Sequence, residues 1–152
     1  MSDRLTALGL VLEELGVPLQ IDQVEQRLII QKAVYLAQTT IPLGYTYGWY
    51  LKGPYSPSLT QDYYQLAERV TRGTVQEAIL KESARSSLQS VKELIAAQPE
   101  GTKYSHWLEL LASIHYLRTK SGFSVNAARK KIAETKPHLA GLFNAGVAAL
   151  GA

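Results

Sequence analysis

The sequence contains no cysteine among its 152 residues. Without thiols the chain forms no disulfide and offers no thiolate to a metal, and this absence is typical of cytoplasmic proteins. Long apolar runs are also missing, and Glu13 and Glu14 interrupt the apolar pattern of the N-terminal segment. We therefore expect neither a signal peptide nor a membrane span, and we predict a cytoplasmic protein that does not bind membranes.

Motifs of catalysis are absent as well. The sequence has no HExxH, no Cys/His cluster, no GxSxG and no glycine-rich loop for phosphates. Its histidines are His106, His115 and His138, and the first two fall on opposite faces of one predicted helix. Asp62 is a lone carboxylate near the aromatic segment, whereas acid–base catalysis needs a positioned partner. We predict a non-enzymatic protein without a cofactor or a metal site.

Helical periodicity dominates what is present. Hydrophobic residues make up 46% of the chain and charged residues 19%, which is typical of a folded protein. Apolar residues recur at three- and four-residue spacings through most of the sequence. The pattern predicts a mainly α fold, a compact single-domain bundle over residues 1–152 with one short β-hairpin near 45–52. About seven helices are expected, over residues 3–15, 22–40, 57–70, 83–97, 103–120, 124–136 and 137–150.

The segment from Tyr45 to Asp62 carries the most specific pattern. Tyr45, Tyr47 and Trp49 alternate with other residues at the period of a strand, and a Gly53-Pro54 step then turns the backbone. Ser56 followed by Pro57 is typical of a helix start, with serine as the N-cap. We predict that this segment holds aromatic rings in defined positions.

The predicted second helix has a polar stripe opposite its apolar face. The stripe contains Arg27, Gln31, Tyr35 and Gln38, with Lys32 beside it. We predict that the aromatic segment lies across the Gln31–Gln38 side of this helix and leaves some rings accessible. Two interpretations stay open: the stripe forms the wall of a binding groove, or its side chains hydrogen-bond the backbone of the hairpin.

Two stretches, RLIIQKAVYLAQ and GYTYGWYLKGPYSPSLTQD, resemble the signature of the YwgA-like family of small prokaryotic proteins. The resemblance extends more distantly to the Panacea (SocA-like) antitoxin domain, and it covers about residues 24–70. WLELLASIHYLR, residues 107–118, is similar to a later helix of the YwgA-like branch, which the chain resembles more closely after residue 75. The matching positions are Gln31, Lys32, Tyr35, Gln38, Trp49, Gly53, Pro54, Tyr55, Ser56, Pro57, Leu59 and Asp62.

This resemblance implies a helical domain with a short β-hairpin and no enzymatic activity. Panacea domains act as antitoxins by binding very different toxins, and a related protein is an adaptor that delivers its toxin to a protease. The expected function is therefore a protein-interaction module that binds a toxin or phage-defence effector through an aromatic groove. Its candidate residues are Gln31, Lys32, Tyr35, Trp49, Tyr50, Lys52, Tyr55, Ser56, Asp62 and Tyr63, although core packing is an alternative role for Trp49 and Tyr47.

The alternative is a nucleic-acid-binding or transcription-regulatory protein that uses the basic region 118–136. Its candidate phosphate contacts are Arg118, Lys120, Arg129, Lys130, Lys131 and Lys136, although such a run also suits a solvated helix face. A helix-turn-helix over residues 124–150 is disfavoured because its second helix has few polar side chains to read bases. The apolar C-terminal segment GVAALGA is a candidate homodimer contact.

Overall fold

The computed structural model describes residues 3–73 and 78–151. Within these ranges it has seven α-helices and a two-stranded antiparallel sheet, which confirms the predicted mainly α fold with one hairpin. The elements are α1 Asp3–Leu15, α2 Val24–Ala37, β1 Gly48–Tyr50, β2 Gly53–Tyr55, α3 Pro57–Arg72, α4 Glu82–Ala96, α5 Tyr104–Thr119, α6 Val125–Thr135, a 3-10 helix Pro137–Leu142 and α7 Phe143–Leu150. None of the helices in these two ranges has the length and apolarity to cross a membrane.

Helix α5 runs through the centre of the molecule. It packs against α2, α6, α7 and β2, and its side chains are buried on nearly every face. A helix that is apolar all round is expected in an interior position. Trp107 is fully buried there, and its indole N–H donates to the carbonyl of Leu94 at 2.9 Å. Glu109 and Ser113 of α5 lie beside Gly53. The ring of Tyr116 lies 5.7 Å from that of Trp49, so α5 lies against the hairpin and can contribute to a site built around it.

The hairpin lies a few residues later than the sequence predicted. Strand β1 pairs with β2 so that Gly48 faces Tyr55 and Tyr50 faces Gly53. Tyr45 precedes the strand because its backbone N–H and carbonyl are both hydrogen-bonded by the side-chain amide of Gln38, at 2.8 and 3.0 Å. The Gln38 side chain thus takes the place of a partner strand at Tyr45, where the hairpin was predicted to begin. Gly53 and Pro54, predicted as a turn, belong to the second strand.

Two predicted helix starts are confirmed by their caps. The hydroxyl of Ser56 accepts from the Leu59 N–H at 3.3 Å, and the hydroxyl of Ser124 accepts from the Ala127 N–H at 3.1 Å. Helix α2 begins at Val24 rather than at the predicted residue 22, because Gln23 is the N-cap and its N–H donates to the Gln26 side chain at 3.0 Å.

Two predicted helix bounds also differ from the structure. Helix α2 ends at Ala37 rather than near residue 40. The last predicted helix opens with six residues of 3-10 helix, and the α-helix begins only at Phe143. The 3-10 helix places residues 136 and 138 near α5.

Candidate functional site

The polar stripe of α2 lies against the hairpin and the start of α3, as predicted. The Gln31 side-chain amide donates to the Ser56 carbonyl at 3.0 Å and accepts from the Ser56 N–H at 2.9 Å. Tyr47 donates its hydroxyl proton to the Gln31 carbonyl at 2.8 Å. These bonds satisfy backbone groups that would otherwise be buried without partners. Of the two interpretations left open, the structure shows that the stripe hydrogen-bonds the hairpin.

Lys32 contributes a buried ammonium group to the same contact. Only 1% of the residue is exposed, and its Nζ donates to the carbonyl of Pro54 at 2.5 Å. Burial disfavours the charged form and lowers the pKa of Lys32 to about 7, although the Glu109 carboxylate opposes this shift. Lys32 therefore holds β2 against α2 with a group that titrates near neutral pH.

A second buried lysine holds the turn of the hairpin. Lys136 is 1% exposed, and its Nζ donates to the Leu51 carbonyl at 2.7 Å. The same ammonium lies 3.1 Å from Oε2 of Glu109 on α5, and Oε1 of Glu109 lies 3.1 Å from Nε2 of His138. Burial lowers the pKa of Lys136 even though Glu109 favours its charged form. Two buried lysines thus bind the carbonyls on either side of the hairpin turn, those of Leu51 and Pro54.

The pairing of Glu109 with Lys136 was not predicted from the sequence, although one feature of the sequence indicates it. Glu109 is the only charged residue in the apolar stretch Trp107–Ile114, where an unpaired carboxylate would be costly. The sequence placed Lys136 among surface phosphate contacts. In the structure Lys136 is inside the fold, because its ammonium neutralises Glu109.

Asp62, a lone carboxylate in the sequence, has two hydrogen-bond donors in the structure. Its Oδ2 accepts from Nε of Arg4 and from the hydroxyl of Tyr45, both at 2.8 Å. Arg27, on the polar stripe of α2, donates to the carbonyl of Ile21. Asp62 therefore connects α1, the segment before the hairpin and α3.

The candidate groove residues divide into a buried and an accessible set. The buried set contains Gln31, Lys32, Tyr35, Ser56, Asp62 and Tyr63. The accessible set contains Trp49, Tyr50, Lys52 and Tyr55, which are exposed or partly exposed. The rings of Tyr50 and Tyr55 contact each other edge to face with centroids 5.3 Å apart. The predicted groove is thus largely an internal hydrogen-bond network.

The exposed part of the hairpin forms a small surface that we call the hairpin tip: Tyr50, Leu51, Lys52 and Tyr55. Leu51 is 87% exposed and Tyr50 is 49% exposed, so the tip presents an aliphatic and an aromatic side chain to solvent. Gly53 follows the turn with a φ of 88°, a conformation that favours glycine. The backbone of the tip is therefore defined, while Leu51 and Tyr50 stay exposed to solvent.

A cavity of about 360 Å³ opens between α2, α5 and the hairpin. The rings of His106 and His138, which the sequence treated as isolated, lie in its wall with centroids 5.0 Å apart. Desolvation and the neighbouring His138 lower the pKa of His106. The lining residues are Val24, Glu25, Leu28, Lys32, Lys52, Lys103, Ser105, His106, Glu109 and His138.

Comparison of the chain with protein-family models, with curated proteins and with solved structures found no match. Among the described residues, no three His, Asp or Glu side chains are grouped so that they could hold a metal ion. The hairpin tip and the adjoining cavity are the two candidate functional sites of the described residues.

The structure does not bring the six basic candidates of region 118–136 together on one surface. Lys136 is buried, and the guanidinium of Arg118 donates to the Phe123 carbonyl at 2.8 Å. Arg129 donates to the Asn144 side chain at 2.7 Å and lies over the Phe143 ring. Lys120 and Lys130 are exposed, and Lys131 is partly exposed.

Proposed function

We propose that the protein is a non-enzymatic interaction module that binds a partner protein through the hairpin tip. The observation that supports this most directly is the exposure of Leu51 and Tyr50 on a turn whose carbonyl is bound by the buried ammonium of Lys136. Exposed apolar side chains on a well-held backbone are typical of binding surfaces.

The buried lysines give this surface an energetic advantage. Association is weakened when a loop has to become ordered on binding. Here Lys136 holds the Leu51 carbonyl and Lys32 holds the Pro54 carbonyl before any partner arrives. Tyrosine adds a large contact area at a small cost in side-chain entropy, because it has only two rotatable side-chain bonds. A partner would therefore meet a surface that is already in its binding conformation.

The resemblance to the YwgA-like family and the Panacea domain supports a more specific role. On that basis we propose that the partner is a toxin or a phage-defence effector, and that the chain acts as its antitoxin or as an adaptor. Six of the signature positions, Gln31, Lys32, Gly53, Pro54, Ser56 and Pro57, lie in the hydrogen-bonded contact between α2, the hairpin and α3. Half of the twelve signature positions thus lie where the tip is held, while Tyr50, Leu51 and Lys52 of the tip are outside the signature.

Site-specific photocrosslinking in cells tests this proposal. A photoreactive phenylalanine analogue in place of Leu51 should give a discrete crosslinked product, because that side chain is 87% exposed at the tip. The matched control carries the analogue at Ile79, another apolar residue, which is 89% exposed. Tyr50→Ala should remove the product at position 51, whereas Tyr64→Ala, at a similarly exposed tyrosine on α3, should not.

Three results would contradict binding at the tip. Crosslinks of equal yield at positions 51 and 79 would indicate nonspecific contact. Loss of the product with Tyr64→Ala as well as Tyr50→Ala would point to another surface. Thermal unfolding of Tyr50→Ala at a much lower temperature would show that this ring stabilises the fold. The partner identified by the crosslink is then co-expressed with this chain. Restored cell growth would show that the chain neutralises a toxin.

Nucleic-acid binding through region 118–136 is the second candidate. Its support is the exposed position of Lys120, Arg129 and Lys130, but three of the six candidates are engaged within the fold. This function requires affinity for DNA or RNA that falls steeply with salt and is lost in the Arg129→Ala, Lys130→Ala, Lys131→Ala triple variant. Affinity insensitive to these changes would eliminate it.

A further inference from the structure

The cavity between α2, α5 and the hairpin concentrates basic side chains from separate parts of the chain. Lys32 comes from α2, Lys52 from the hairpin turn and Lys103 from the residue before α5. A packing defect would be lined by apolar side chains, whereas this cavity has three lysines in its wall. Its volume of about 360 Å³ suits a small molecule.

The two carboxylates in the wall are already engaged within the protein. Glu25 accepts from the hydroxyl of Ser105 at 3.0 Å. Glu109 is paired with Lys136 at 3.1 Å and lies equally close to His138. Among residues 3–73 and 78–151, by contrast, neither Lys52 nor Lys103 forms an ion pair with a carboxylate. Lys136 neutralises Glu109, so three lysines of the wall remain against one carboxylate, that of Glu25, and the net charge that faces a ligand is positive.

Three further features favour an anion. Lys32 is almost fully buried, and its ammonium form has three N–H donors, of which one is given to the Pro54 carbonyl. Ser105 and His106 belong to the first turn of α5, a 16-residue helix whose N-terminal end attracts negative charge. His106 can add an N–H donor from the same wall.

The donor types indicate which anion. No arginine lines the cavity, so the planar fork that pairs best with a carboxylate is missing from this wall. Lysine ammonium groups act as point charges that surround a tetrahedral oxyanion from several directions. We propose that this cavity binds the phosphate group of a small molecule, either as inorganic phosphate or as a phosphomonoester.

Titration calorimetry on the full chain at constant ionic strength tests the proposal with two probes, inorganic phosphate and ribose 5-phosphate. We expect saturable one-to-one binding, weakened about fivefold or more by Lys103→Ala because one ammonium contact is lost. The matched control is Lys81→Ala, at an exposed lysine before α4 that does not line the cavity. Lys52→Ala provides a second variant on an independent element.

Each outcome decides the matter. Tighter binding of ribose 5-phosphate would support a phosphomonoester, and equal or tighter binding of inorganic phosphate would support the free anion. Absence of saturation with both probes would overturn the proposal. An equal loss of affinity in Lys81→Ala and Lys103→Ala would also overturn it, because general surface charge would then account for the binding.

Discussion

Nζ of Lys136 lies 3.1 Å from Oε2 of Glu109, and the two side chains are 1% and 7% exposed. The same ammonium donates to the Leu51 carbonyl in the hairpin turn. One buried ion pair therefore connects the central helix α5, the start of the 3-10 helix and the hairpin tip. Removal of one partner of a buried ion pair leaves the other charge buried without compensation, so each single substitution should destabilise the fold.

Glu109→Gln should destabilise the protein strongly, because it leaves the Lys136 ammonium buried without its counter-charge. The expected loss in free energy of unfolding is about 3 kcal/mol, measured by urea denaturation. Lys136→Met alone should also destabilise, since it leaves the buried Glu109 carboxylate without its ammonium partner and with only the His138 contact. The double variant Glu109→Gln, Lys136→Met should recover much of the loss. Additive losses in the double variant would show that the two groups do not interact.

Gly53→Ala should destabilise for two reasons that can be separated. Residue 53 has a φ of 88°, and a Cβ there would lie 2.6 Å from Oγ of Ser113. Strain and overlap together should cost about 2–4 kcal/mol in free energy of unfolding. Gly122→Ala is the matched control, because its φ is 70° and a Cβ would meet nothing within 4 Å. Its cost should be about 1 kcal/mol, from strain alone.

Removal of the Ser113 hydroxyl tests whether overlap with this group causes the loss of stability in Gly53→Ala. This hydroxyl is buried and has no hydrogen-bond partner among the described residues, so Ser113→Ala alone should change stability little. Gly53→Ala combined with Ser113→Ala should therefore be more stable than Gly53→Ala. If the two changes prove additive in chemical denaturation, the overlap does not explain the loss.

Lys32 should make the protein more stable as the pH rises from about 7 to about 9. Its pKa is about 7 in the fold and 10.5 as its ordinary value, so in this range the unfolded chain binds a proton that the folded chain has released. Stability then rises with pH, by at most about 1.4 kcal/mol per pH unit. The measurement is the free energy of unfolding at several pH values, in the wild type and in Lys32→Met.

Other buried titratable groups change the stability mainly outside the range from about pH 7 to about pH 9. Burial lowers the pKa of His106 and His115, which makes stability fall below their ordinary pKa of 6.5. Burial raises the pKa of Tyr35 and Tyr45, which makes stability fall above their ordinary value of 10.0. Lys136 stays in both proteins, so the slope in Lys32→Met should be smaller. Equal slopes would show that Lys32 keeps its ordinary pKa in the fold.

Asp62 should act on stability rather than on partner binding. Asp62→Ala removes the acceptor of the Tyr45 hydroxyl and of the Arg4 guanidinium, at an expected cost of about 1–3 kcal/mol. In the Tyr45→Phe background the cost should be smaller, because one of the two hydrogen bonds is already absent. Crosslinking at position 51 should persist in Asp62→Ala at a temperature where the variant is folded. Loss of that product would place Asp62 in the binding surface.

Local sequence patterns were enough to predict most of the helices and the start of α3. Ser56 and Pro57 determine that start, since a serine cap and a proline at the first helical position act on neighbouring residues. The contact between the Gln31 stripe and the hairpin was also predicted, because a polar stripe in an apolar helix needs partners. The hairpin lies a few residues later than predicted, because the Gln38 side chain bonds the Tyr45 backbone from outside any strand.

The amino-acid sequence by itself determined the helical architecture, the aromatic hairpin and the helix face against which that hairpin packs, because these follow from periodicity and capping over short distances. Only the tertiary structure decided that Lys32 and Lys136 are buried, that Glu109 pairs with Lys136, and which rings remain accessible. The Glu109 and His138 side chains meet across 29 residues of sequence. Helix packing sets such distances, and burial then decides whether a charged side chain supports the fold or faces a ligand.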